Sequence, residues 1–375
     1  MPLNLTLASR NLFQDRLRFV ATTIGIVFSV VLVMVQMGLY LGFGRMVTTV
    51  IDHTSADLWV MRHGTKCFED PSLLNASKLT AVAATPGVAE AIPLVIGFSG
   101  WILPSGEITP VFVVGSDLRT LKPWNVTEGK VQALSASGAV AVDRSYFDRL
   151  GVSGIGSKAN IRGLPVSVAA VTDGIRSFTT TPYVFSDLSH ARTYIGIPST
   201  VASYFLVKLR PGVDLEHVRH DLQASLPDSE VLTPAEFRER SRSYWLFGTG
   251  AGTALFAGAI LGIIVGMVIV VQTLYSSTKE HLNEFATLRA MGASNGYIYS
   301  VIIYQALLNA VIGFALATLI GFAVVGFTMD GALPVLITPL LILAMLVLTV
   351  VMCIAAALAA ILPVVRIDPV MVFTR

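Results

Sequence analysis

Four long apolar runs divide this chain, at about Phe19–Phe43, Leu246–Tyr275, Tyr297–Phe327 and Leu336–Leu362. At 1.5 Å rise per residue each forms a helix of about 35 Å or more, enough to cross a hydrocarbon core about 30 Å thick. Core helices of soluble proteins rarely run this long without a charge, so the pattern predicts four transmembrane helices. The second and third runs exceed the required length, which predicts tilt or extension beyond the bilayer. The first run follows Arg10, Arg16 and Arg18 but is too long for a signal-peptide core, and no A-x-A-like site follows it. It reads as an uncleaved anchor.

Between the first two runs the pattern changes. Alternating or β-rich stretches appear at Ala91–Leu103, Val111–Gly115, Ala139–Val142, Val166–Val171, Tyr183–Phe185 and Tyr204–Leu209. Pro86-Gly87, Pro104-Ser105-Gly106, Asp173-Gly174 and Pro211-Gly212 supply turns between them. Helical spacing appears at Tyr146–Leu150 and at Leu215–Leu226, where Leu215, Val218, Leu222 and Leu226 share a face behind Asp214 as N-cap. Thr233-Pro-Ala-Glu236 reads as a capping box. The helix it opens runs through Arg242 and, if continuous with the second span, would form a stiff lever. The fold class is an α-helical membrane protein with four transmembrane helices and a mixed α/β domain inserted between the first and second. The partition is 1–18 amphipathic segment, 19–43 first span, 44–243 α/β domain, 244–275 second span and 276–296 loop helix. Then follow 297–328 third span, 329–335 short loop, 336–362 fourth span and 363–375 tail.

Charge gives the partition a sidedness. Charged residues make up 13% of the chain, about half the usual share. Arg10, Arg16, Arg18, Lys279, Arg289, Arg366 and Arg375 fall on one side of the four-span arrangement, and the loop near Met329–Pro334 holds Asp330 and no basic residue. The positive-inside rule makes that side cytoplasmic, with both termini there and the large domain outside. The other 19 of the 26 basic residues lie in 44–243, matched by 19 of the 24 acids. Long domains cross regardless of charge, so these do not set the orientation. A net charge of +2 leaves no nucleic-acid footprint. Cys67 and Cys353 lie in different regions and imply no disulfide framework.

The α/β domain offers little chemistry. His53, His63, His190, His217 and His220 show no H-E-x-x-H or other metal spacing, and the spacing of His217 and His220 fits a solvated helix face. Ser99, Ser116 and Ser137 lack a G-x-S-x-G elbow. Phe98 and Trp101 read either as core or as the lining of an apolar groove. No G-x-x-x-x-G-K-[ST] occurs; Gly151–Lys158 is only a near miss. The chain therefore reads as non-enzymatic, with no metal or cofactor of its own. Ionisable residues are missing from the span interiors, where Gln36, Gln272, Gln305 and Asn309 are the main polar groups. This argues against an ion-driven pump and against a channel. Gly258, Gly262 and Gly266 in the second span, and Gly313, Ala317 and Gly321 in the third, form small-residue stripes suited to close helix packing.

The segment Lys279–Ser294, KEHLNEFATLRAMGAS, is the only strongly charged interruption of the C-terminal third. On a helical wheel Leu282, Phe285, Ala286 and Ala290 fall together, opposite Glu280, Glu284, Thr287 and Met291. The apolar side suits the bilayer interface or the spans. Glu280 and Glu284 are like charges one turn apart, a repulsion of about 0.2–0.5 kcal/mol that a basic partner surface would relieve. Arg289 complements the helix dipole, and Gly292 supplies the stop.

The string Glu284–Ser294, E-x-x-x-L-R-A-M-G-A-S, resembles the coupling loop of the MacB/FtsX-type permeases, the four-span subunits of type VII ABC transporters. Pro86-Gly87-Val88, Val113–Asp117, Ala141–Gly151 and Arg210–Leu215 resemble that family's periplasmic domain, and Arg366-Ile-Asp-Pro369 its closing segment. Arg10–Phe13 and Met34–Gly38 are most similar to DevC-like members. The resemblance implies a non-catalytic permease subunit in the inner membrane, paired with a second permease copy, itself or a paralogue. Two copies of a separate ABC ATPase, carrying ATP and Mg, would drive it through Glu280, Glu284, Thr287, Arg289, Met291 and Gly292. It implies mechanotransmission that exports or extracts a lipid, glycolipid, lipoprotein or peptide, with membrane lipid around it. A periplasmic membrane-fusion adaptor and an outer-membrane duct are the further partners implied. An FtsX-like role in controlling a cell-wall hydrolase is the alternative; a domain of about 200 residues favours export. A sensor or scaffold without an ATPase is a third reading.

Overall fold

The computed structural model describes residues 16–179, 181–280, 284, 286–288, 291–328 and 335–365. The chain divides into two compact units, 43–251 and the combination of 1–42 with 252–375.

The first of these is the α/β domain. Its strands are β1 Leu58–Arg62, β2 Leu74–Asn75, β3 Val88–Ile102, β4 Ile108–Ser116, β5 Val126–Gly129 and β6 Ala139–Asp143. They continue with β7 Lys158–Ile161, β8 Leu164–Thr172, β9 Tyr183–Asp187, β10 Val201–Ala202, β11 Tyr204–Leu209 and β12 Ser229–Leu232. The main sheet runs β12-β1-β11-β3-β4-β9-β6-β8-β5, and β7 bridges β3 and β8. That bridge closes the ring β3-β4-β9-β6-β8-β7, with Trp101 paired to Ile161 and Ile161 to Leu164. The 15-residue β3 serves both parts: its first half pairs with β11 and its second with β4.

Period-two alternation sorts the sheet residues into two cores. Val111, Val113, Val140, Val142 and Val184 join one, with Val82, Ala191, Val218 and Leu222 from the helices Lys78–Ala84, Leu188–Ile195 and Leu215–Ser225. Their neighbours Phe112, Val114, Ala141, Tyr183 and Phe185 join the other, with Trp59, Phe68 and Phe237. Trp101 belongs to the first core: it is fully buried, and its indole N–H donates to Leu150 O at 2.9 Å. Phe98 is 55% exposed and stands edge-on to Phe112, so the two do not line one groove. His217 and His220 stand in solvent on their helix.

The capping box forms: Thr233 Oγ1 accepts from Glu236 N at 3.2 Å, and the Glu236 carboxylate accepts from Thr233 N at 2.8 Å. Thr233→Ala should lower the domain's stability by about 1 kcal/mol, read as a lower urea midpoint with an unchanged slope. The helix it opens, Pro234–Ser243, does not run on as an α-helix. It passes into a π-helical turn, Tyr244–Gly248, and the chain then breaks before the second span starts at Ala251. Gly250 adopts φ +80°, a left-handed conformation that glycine tolerates. The continuous lever is thus replaced by a helix, a wide turn and a glycine break, and the second span begins later than residue 244.

The second unit holds four long helices, Arg16–Met46, Ala251–Glu280, Asn295–Thr328 and Pro339–Val365, each apolar and long enough to cross a membrane. The first helix enters the α/β domain's residues at its C-terminal end. Ser294 precedes the third helix and accepts from Tyr297 N at 3.3 Å. Thr338 does the same for Leu341 N at 3.2 Å, with Pro339 at the first helical position.

Candidate functional site

Glu280 is the last residue of the helix Ala251–Glu280, and of the loop segment after it the structure describes 284, 286–288 and 291–294. Glu280, Glu284, Thr287 and Met291 are exposed, Met291 at 71%, while Ala286 is buried and Leu288 packs on the helix-bundle core. Gly292 takes φ +94°, and Ala293 N donates to Leu288 O at 3.0 Å, the six-to-one bond of a glycine-terminated helix. Arg289, with Leu282, Phe285 and Ala290, lies outside the described residues.

Both small-residue stripes face the first span. A methyl group on Gly258 would meet Gln36 Nε2 at 2.8 Å, one on Gly262 would meet Val33 at 3.1 Å, and one on Gly266 would collide with Ser29. Ser29 Oγ donates to Gly262 O at 2.8 Å. In the third span, Gly313 abuts Ile26, Gly321 abuts Met34, and Ala317 is fully buried. The first helix is thus gripped from two sides by backbones that approach where side chains are absent. Besides these contacts, the first and third spans leave an apolar groove of about 560 Å³, walled by Ile24, Val27, Phe28, Val31, Leu316 and Ile320.

A polar and aromatic collar in the α/β domain has no signal in the sequence. The chain passes between the two units twice, at 42–43 and at 251–252. Phe43, next to the first passage, stacks edge-on to Phe178 with ring centroids 5.2 Å apart. Phe178 in turn packs 4.5 Å from Trp245, in the turn before the second passage. The Trp245 indole N–H donates to Glu69 Oε2 at 2.9 Å. Glu69 is held by its neighbours: Tyr204 OH donates to Phe68 O at 2.9 Å, and Phe68 N donates to Ser241 Oγ at 3.1 Å. Arg238 pairs with Asp52 at 2.5 Å, tying helix Pro234–Ser243 to the short helix Thr49–Asp52. Phe43, Phe178, Trp245 and Glu69 thus form one cluster within the unit 43–251.

The cluster is dry. Burial raises the Glu69 carboxyl from 4.5 to about 7, against the smaller opposing effect of the Trp245 bond. Burial, then the Glu69 charge, pushes the Cys67 thiol up to about 12, so this thiol is inert. The same two causes hold the Tyr183 phenol well above its usual range. Among the described residues no group of three His, Cys, Asp or Glu could hold a metal.

Comparison with known proteins follows this architecture. The model of the MacB-like periplasmic core domain matches residues 19–225, and that of the FtsX-like permease C-terminal domain matches 256–369. No curated protein matches the chain. Among solved structures, the periplasmic region of MacB from Actinobacillus actinomycetemcomitans aligns at 11% identity and TM-score 0.39, covering 50% of this chain and 94% of that one. The extracellular domain of the noncanonic ABC-type transporter YknZ from Gram-positive bacteria aligns at 14% and 0.35, covering 48% and 99%. A domain of a putative permease from Porphyromonas gingivalis aligns at 17% and 0.35, covering 48% and 90%.

Proposed function

This chain belongs to the MacB/FtsX-type permeases of ABC transporters, and from that premise we propose that it is the subunit that turns ATP hydrolysis on a partner chain into motion of its own α/β domain. As a family member it is an inner-membrane component that works with an ATPase. The observation that carries the proposal is the exposure of the loop segment: Glu280, at the end of the helix Ala251–Glu280, and Glu284, Thr287 and Met291 beyond it are exposed, while Ala286 is buried. Exposed carboxylates suit a cationic partner surface. The seven basic residues support a cytoplasmic loop and termini by the positive-inside rule, where an ATPase can reach the loop. The α/β domain then lies in the periplasm.

Force that enters at the loop helix travels along the second span and reaches the periplasmic domain through the residues flanking 251–252. Within the α/β domain, Trp245 packs on Phe178, which packs on Phe43. The permease acts as a dimer, with itself or a paralogue, and with two ATPase copies. The cargo is a lipid, glycolipid, lipoprotein or peptide taken from the periplasm or outer leaflet, passed on through an adaptor and an exit duct as in DevC-like systems. The absence of ionisable groups in the span interiors supports a push on cargo outside over an ion-coupled path through the spans.

Glu280→Lys with Glu284→Lys tests the proposal. The full chain is purified with its co-expressed ATPase, and co-purification and permease-stimulated ATP turnover are measured. The expected result is at least a tenfold loss of one or both, with helix content unchanged. Undiminished ATPase binding and turnover would remove the docking role from this face. A thiol probe at Ser294→Cys should react from the cytoplasmic side alone; labelling from outside would reverse the orientation.

A further inference from the structure

The helix Pro234–Ser243 carries three arginines, and two of them are answered by a carboxylate. Arg238 Nε donates to Asp52 Oδ1 at 2.5 Å, and Arg240 pairs with Glu230. Arg242, one turn beyond Arg238, is not answered. Its guanidinium lies against Gly44, where a methyl group would meet Nε at 3.2 Å and Cζ at 3.7 Å. Arg45 follows Gly44 in the last turn of the first helix and stands exposed. Among the described residues neither guanidinium donates a hydrogen bond or meets a carboxylate at ion-pair distance. Asp52 cannot serve them, because Thr48 Oγ1 donates to one of its oxygens at 2.8 Å and Arg238 to the other. Glu239, three positions before Arg242, makes no bridge to it.

Both cations stand at the edge of the membrane by their place in the chain. The first span runs Phe19–Met46, so Arg45 marks its end, and the second begins at Ala251, soon after Arg242. Tyr244 and Trp245, both half-buried, and Phe247, 55% exposed, fill the interval. Aromatic rings beside basic side chains are characteristic of the headgroup layer. Each arginine lies in the last turn of its helix, where the dipole favours a cation. Two full charges against two partial ones still leave the spot around Gly44 positive. A phosphodiester answers it: its two free oxygens accept from guanidinium N–H groups while its acyl chains stay in the apolar layer.

We propose that Arg45 and Arg242 bind the phosphate of an anionic phospholipid, in the leaflet on the side of the α/β domain. A headgroup whose only charge is the phosphate matches two unanswered cations, and one whose phosphate is offset by a choline does not. All the residues of the site belong to the unit 43–251. The bound lipid is a resident of the protein and is distinct from the cargo. Its binding does not rest on the coupling reading above, since neither arginine belongs to the loop segment.

The test is native mass spectrometry of the full chain, released from micelles that hold equal amounts of phosphatidylglycerol and phosphatidylcholine. The wild type should retain phosphatidylglycerol in preference. Arg45→Gln with Arg242→Gln should cut the retained ratio by about threefold, with helix content unchanged, and Arg45→Lys with Arg242→Lys should keep most of it. Arg45→Gln alone alters an exposed side chain and should lower the ratio by about twofold, which covers the case of a double variant that folds poorly. Millimolar inorganic phosphate should leave the ratio unchanged, because it lacks the acyl chains that hold the lipid in place. A ratio that both Gln variants leave intact overturns the site. Displacement of the lipid by inorganic phosphate also overturns it, by making the spot a plain anion site.

Discussion

Gly266→Leu should collapse the membrane unit, whereas Gly326→Leu should leave it almost unchanged. Both replace a span glycine by the same large apolar side chain, which lipid itself would accept. Only their neighbours differ. A methyl group at Gly266 already collides with Ser29 Oγ and Cβ and comes within 3.3 Å of Met352 Sδ, while at Gly326 nothing lies within 4 Å. Ser29 cannot simply turn aside, because its hydroxyl donates to Gly262 O one turn away. Helices in lipid associate through close backbone approach, so separating this pair forfeits dispersion contacts and that bond together. Overpacking of a tight site by a few carbons costs about 1–3 kcal/mol, and a helix pair wedged apart over several turns loses at least the upper figure. For a unit of this size that lowers the unfolding midpoint by about 10 °C. Cys353 is fully buried and reports the event: in a Cys67→Ser background, its reaction with a thiol probe on heating follows the bundle alone. Gly266→Ala should show a smaller loss that Ser29→Gly restores. Equal midpoints for the Gly266→Leu and Gly326→Leu chains would mean that the first two spans do not pack through this stripe.

The spans were legible because a membrane crossing is a matter of length and apolarity, both of which are local. The capping box at Thr233–Glu236 and the outward face of the loop helix were legible for the same reason: each is set by residues three or four apart. The strand β1 was not. Its five residues, LWVMR, are too short and too uniformly apolar to show alternation, yet they lie between β11 and β12 in the sheet. Closure of the strand ring escaped too, since β7 is a four-residue strand whose place is fixed by Trp101 and Leu164 rather than by its own pattern. The break at Gly250 hides in the run Gly248-Thr-Gly250, where glycine reads equally as membrane-helix packing or as a stop. Glu69 is the extreme case. It sits in a polar stretch, and only a tryptophan 176 positions away and a phenol from β9 make its surroundings dry.

Glu69→Gln should stabilise the α/β domain at pH 8 and leave it unchanged, or slightly weaker, at pH 4.5. The sign follows from linkage. Burial raises the carboxyl from 4.5 to about 7, so the folded domain holds a proton that the unfolded chain releases earlier. Below about 4.5 both states are neutral and the full stability is present. Between 4.5 and 7 the unfolded chain ionises first, and stability falls as pH rises. Above 7 the loss is complete. At about 1.4 kcal/mol per pH unit of displacement, it approaches about 3 kcal/mol. The perturbed carboxylates elsewhere work in the other direction and in another window. Hydrogen bonds and arginine neighbours hold Asp117 and Glu230 below their ordinary values, so their contributions fade only as pH falls below about 4. The span from 4.5 to 7 thus belongs chiefly to Glu69. Urea unfolding of the domain within the nanodisc-embedded full chain, followed by tryptophan emission, should give a wild-type midpoint that drops across this range. The Glu69→Gln midpoint should be flat and should cross the wild-type curve. Two curves that run parallel would place the buried proton on some other group.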